Sequence, residues 1–72
     1  MQVNKTQSLL YIFDTLITKG SIKKADVINE LEISDLKFKR YIQELRAYIY
    51  NFNKSYDLIY KKKSQEYILK NY

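Results

Sequence analysis

The apolar residues keep a helical spacing as far as Phe52 and an alternating one from Tyr56 onward, and this single change of period constrains the fold more than any other feature. A helical part must therefore be followed by a small sheet. With one glycine and no proline in 72 residues, there is little room for long loops between the elements. The length permits one domain, spanning 1–72, and lies near the lower limit for a core that holds without external help. Leu, Ile, Val and Phe make up 22 of the 72 residues, above the one-fifth or so below which a charged chain stays unfolded. The chain is expected to fold.

Helix 1 is read over 5–19. Leu9, Ile12, Phe13, Leu16 and Ile17, with Leu10 beside them, form one broad apolar stripe expected to be buried. Asn4 with Gln7 reads as its N-terminal cap and Gly20 as its left-handed stop. Ser21-Ile22-Lys23 is too short to stand alone and predicts a strand, 21–23, paired with one from elsewhere in the chain. Helix 2 is read over 24–31, where Val27, Ile28 and Leu31 share a face. Ser34 is a strong N-cap residue, and a long third helix follows over about 35–51, periodic in Phe38, Tyr41, Ile42, Leu45, Tyr48, Ile49 and Phe52. Tyr56 to Lys61 and Glu66 to Lys70 alternate in polarity around four polar residues, which predicts a hairpin over 56–70. The fold class is α+β, mostly α, with three helices and a C-terminal β-hairpin.

Chemistry is limited by what is missing. Without cysteine or histidine the chain can build neither disulfides nor zinc sites of the usual kind, and it has no imidazole for acid/base work. Paired-carboxylate and Gly-rich phosphate signatures are also absent, so the expectation is a protein that is not an enzyme, with no cofactor, no metal and no small-molecule ligand. No apolar run reaches the roughly 18 residues of a membrane span, and the first residues lack the apolar stretch of a signal peptide. A cytoplasmic protein without a membrane partner is expected.

Charge gives the positive indication. Thirteen basic against eight acidic residues make a net +5, with a pI near 9.4. The total fits solubility as well as it fits an anionic partner. The distribution is more informative, because residues 1–36 sum to −1 and residues 37–72 to +6. A one-sided positive field favours a polyanion such as nucleic acid or an acidic membrane surface. With Phe38, Ile42, Leu45 and Ile49 turned inward, a step of about 100° per residue puts Asp35, Leu36, Lys39, Arg40 and Gln43 outside, with Lys37 and Arg46 flanking. That face is basic, and an α-helix fits the major groove of B-DNA.

The segment from Lys24 to Leu45, KADVINELEISDLKFKRYIQEL, resembles the helix-turn-helix of the winged-helix bacterial regulators of the DeoR and Mga types. Leu31, Ile33, Ser34, Phe38, Arg40, Ile42 and Leu45 match the pattern of those families in register. Lys61-Lys62-Lys63-Ser64-Gln65-Glu66-Tyr67-Ile68-Leu69 is similar to their wing, with its basic tip and closing Tyr-x-Leu. The likeness covers about 5–70. Glu32 stands where those families usually carry Gly, Ile28 where Ala is frequent, Lys37 where Thr is common and Tyr41 where Asp is common. Glu32 must therefore adopt a positive φ or make the turn differently, while Tyr41 leaves the binding face or its margin more positive.

The resemblance implies a three-helix winged helix-turn-helix that binds double-stranded DNA with sequence selectivity, as a transcriptional regulator or a plasmid or phage accessory factor. Lys39 is the candidate for base or phosphate contact, and Gln43 and Leu36 for base readout. Arg40, Lys37 and Ser34 are the phosphate clamps, Asp35 and Arg46 lie on the same face, and Lys61, Lys62 and Lys63 sit over the flanking backbone or the adjacent minor groove. For each lysine a plain solvated charge is the competing reading. Tyr41, Tyr48, Tyr60 and Tyr67 read as packing at the edge of the core. A homodimer is expected on grounds of size, with apolar surface supplied by Tyr48, Tyr50, Phe52, Asn71 and Tyr72. The alternative function is a winged-helix protein-interaction module without DNA binding, favoured by Leu36.

Overall fold

Three helices lead into a three-stranded antiparallel sheet in the computed structural model, which describes residues 4–53 and 55–71. The elements are α1 (Lys5–Lys19), β1 (Ser21–Lys23), α2 (Lys24–Leu31), α3 (Asp35–Phe52), β2 (Tyr56–Lys61) and β3 (Glu66–Asn71). The sheet order is β1-β3-β2. The last strand in sequence is thus the central one, as in a winged helix-turn-helix. Four of the six elements have the bounds anticipated for them, and α3 and β3 each run one residue further. Lys54 and Tyr72, which the sequence reading placed in a connecting turn and on an apolar tail, lie outside the described residues.

Local chemistry sets each boundary. Asn4 Oδ1 accepts from the Gln7 N–H at 2.8 Å and opens α1. Gly20 closes that helix at φ 83°, with its N–H on the Leu16 carbonyl. A Cβ there would meet no atom within 4 Å, so glycine is required by the backbone angle and not by crowding. The Gly20 carbonyl then accepts from Leu69 N–H at 3.0 Å, which starts the pairing of β1 with β3.

The turn between α2 and α3 is made by Glu32, a non-glycine residue at φ 55°, ψ 47°. Its N–H and that of Ile33 both bond back to the Ile28 carbonyl, and Ile33 and Ile28 pack against the core. This is a Schellman-type stop with its usual apolar contact. Gln65 solves the same problem in the hairpin, where it closes the four-residue turn at φ 55°.

The core is built from Ile12, Leu16, Ile22, Val27, Leu31, Phe38, Tyr41, Ile42, Leu45, Ile49 and Leu58. The sheet covers it with one face, as its alternation anticipates. Leu58 is opposite Leu69, and Tyr60 is opposite Tyr67, whose ring meets Phe38 edge-on at 5.5 Å. Three expectations about burial are corrected. Leu10 and Ile17, assigned to the buried stripe of α1, are exposed, because Ile12 and Leu16 with Ser8 already fill the line facing the core. Tyr41, assigned to the edge of the core and to the margin of the binding face, is 7% exposed and belongs to the core itself. Tyr48 and Phe52 continue the period of α3 and are exposed, in keeping with the apolar surface expected of them, with Tyr48 edge-on to Phe13 of α1.

Candidate nucleic-acid interface

Ser34 opens α3 by accepting the Lys37 N–H on its Oγ at 3.2 Å, which leaves its hydroxyl hydrogen to donate outward. From that cap the exposed residues of the helix separate onto two flanks. Lys37, Arg40, Gln43 and Glu44 line a groove with Asn4 and Lys5 at the start of α1. Lys39 and Arg46, two turns apart, follow the other flank, where Arg46 meets β2. Leu36 stands near the outermost line and is exposed, as are Lys37, Lys39, Arg40 and Gln43.

Two of the anticipated site residues are tied into the scaffold. Asp35 pairs with Lys24 at 3.1 Å, in the first turn of α3, where a carboxylate also suits the helix dipole. Arg46 donates from Nη1 to the Leu58 carbonyl at 2.7 Å and fastens α3 to the outer edge of the sheet. Its position was foreseeable from the helical step, but its partner was not. Glu44, which interrupts the basic flank, is matched by Lys5 at 2.9 Å. Both ion pairs are largely exposed, so each contributes at most a few tenths of a kcal/mol up to about 1 kcal/mol.

The lysine triplet divides in two. Lys61 is the last residue of β2, opposite Glu66, whereas Lys62 and Lys63 lie in the turn that follows. Glu66 is in turn opposite Lys23 of β1. The row Lys61, Glu66, Lys23 therefore crosses the sheet in two strand spacings, roughly 10 Å. Lys24 is the next residue in the chain, and its Nζ is on Asp35. A path of contacts therefore runs from the base of the hairpin turn through Lys23 and Lys24 to the start of α3.

The arrangement can hold an extended anion by electrostatics, with exposed donors and an outward-facing helix. Among the described residues no three potential metal ligands converge. No described helix is long and apolar enough to cross a membrane. Comparison of the chain with protein-family models, curated proteins and solved structures finds no match.

Proposed function

We propose that this chain binds double-stranded DNA with sequence selectivity, by placing the first half of α3 in the major groove and the β2–β3 turn over the flanking backbone. The observation that supports the reading is the path of contacts that connects two basic groups far apart in sequence. Lys37, Lys39 and Arg40 project from α3, Lys61, Lys62 and Lys63 belong to the hairpin, and the links through Lys23, Lys24 and Asp35 join their bases. Helix N-terminal residues are the ones that reach base edges in helix-turn-helix docking. In that pose Gln43 is suited to adenine, Leu36 to a thymine methyl group, and Ser34 with the first-turn N–H groups to a phosphate.

The likeness to DeoR- and Mga-type regulators belongs to the same proposal, as do a cytoplasmic location and a role in transcription or in plasmid or phage maintenance. A protein-interaction module is the second reading, supported by Leu36, which is 59% exposed at the centre of the proposed binding face. Titration of labelled duplex DNA at several salt concentrations separates the two. DNA binding requires affinity that falls with a log–log slope of about −0.9 per neutralised phosphate. Absence of binding in dilute buffer leaves the interaction module. Selection from a random duplex pool then reads specificity and half-site spacing together.

A further inference from the structure

Away from the basic end, α1 and the last turns of α3 share an apolar surface that the fold leaves uncovered. Leu10 and Ile17 are 63% and 46% exposed, and Tyr48 and Phe52 are 47% and 77% exposed. The patch is continuous. Phe13 meets Tyr48 edge-on at 5.8 Å, Tyr48 meets Phe52 at 5.5 Å, and Leu10, Tyr11, Phe13 and Ile17 line one shallow depression with Gln7 and Asp14. We infer that this surface is a two-fold interface with a second copy of the same chain, formed by antiparallel packing of α1 against its counterpart.

The spacing on α1 supports that occupant. Leu10, Phe13 and Ile17 follow one another at intervals of three and four, the seam along which two helices pack at a shallow angle. The seam is symmetric about its middle. In an antiparallel pair centred between Phe13 and Asp14, Leu10 meets Ile17 of the other copy, Ile17 meets Leu10, and the Phe13 ring lies against the other copy's helix at Asp14. A two-fold contact requires this self-complementarity. The seam's charge is Asp14, which lines the same depression and comes near its own counterpart beside the two-fold, so it opposes the approach, while Lys5 and Glu44 neutralise each other at the border.

Area favours the two-fold pair. At about 200 Å² per large side chain, the exposed parts of these residues present roughly 500 Å² of apolar surface, near the upper end for a monomer. Homodimer interfaces are about 65% apolar, so a patch of this size corresponds to roughly 800 Å² per partner, the standard size of a stable interface. The inference does not rest on DNA binding and is tested without DNA.

Sedimentation of the chain over a range of concentrations should pass from monomer to dimer mass. Leu10→Arg and Ile17→Lys, both at exposed positions, should weaken association on the order of tenfold or more while leaving the helical circular dichroism unchanged. The chain has no cysteine, so single cysteines report geometry in an otherwise unaltered protein. With a short bis-maleimide, Asp14→Cys beside the two-fold should cross-link to a dimer and Glu30→Cys on α2 should not. A monomer at every concentration, a dimer indifferent to both charge substitutions, or equal cross-linking at the two sites would each overturn the inference.

Discussion

The Arg46 guanidinium donates to the Leu58 carbonyl at 2.7 Å, and through this bond the third helix holds the free edge of β2. A side chain that sequence reading assigns to the DNA face therefore has structural work on the strand behind it. Arg46→Ala should cost about 1.5–3 kcal/mol if the bond is fully desolvated, and the lower end of that range because it is only part-buried. Denaturant unfolding measures the loss. On DNA, the same variant should lose less affinity than Lys39→Ala once both are compared at a temperature where each is folded.

Glu32 occupies left-handed backbone at φ 55°, a conformation that costs an ordinary residue about 1–2 kcal/mol. Glycine removes that cost and gives back part of it as unfolded-chain entropy. Glu32→Gly should stabilise the protein by up to about 1 kcal/mol, seen as a rise in Tm of roughly 4–8 °C per kcal/mol in a domain of this size. A fall in Tm would mean that the Glu32 side chain contributes more to the turn than the backbone loses.

Ser8 is fully buried on the core side of α1, and its Oγ has no hydrogen-bond partner among the described residues. Burying an unsatisfied hydroxyl costs about 1–3 kcal/mol, and alanine is also the better helix former. Ser8→Ala should therefore raise stability by about 1 kcal/mol with no change in DNA affinity. Parallel thermal melts and duplex titrations check both halves of that expectation.

Phosphate contacts and base contacts predict different signatures. Lys62→Ala should weaken binding to all duplexes alike and reduce the salt slope by about one, whereas Gln43→Ala should change the preference among duplexes by about 1–3 kcal/mol at one position. Equal losses on every sequence for both variants would remove the proposed division between α3 and the hairpin turn.

Much of this architecture is legible in the sequence because its signals are local. Asn4, Gly20 and Ser34 mark helix ends through bonds within four residues, and the alternation of Leu58, Tyr60, Tyr67 and Leu69 assigns a face to each strand residue. The basic outer face of α3 follows equally from its period. Less legible were the features that depend on how elements meet. Leu10 and Ile17 are apolar yet exposed, since polarity alone does not say which of two adjacent stripes faces the core. The spacing of Ser8, Ile12 and Leu16 carried that information, but a scan for apolar residues passes over a serine. Tyr41 was misplaced because a tyrosine suits either the core or its rim, and only the packing of α3 chooses. The Arg46–Leu58 bond joins a helix to a strand whose relative position no short-range signal encodes.

The central place of β3 has a consequence for how the protein is made. Ser21, Ile22 and Lys23 bond to a strand that begins more than forty residues later, and β2 shares that same partner. While the polypeptide is still emerging from a ribosome, both earlier strands wait with their backbone groups in water. The helices can nucleate as they appear, but the sheet zips only after Asn71 has cleared the exit tunnel, so a stall in translation before that point leaves a species with an open flank.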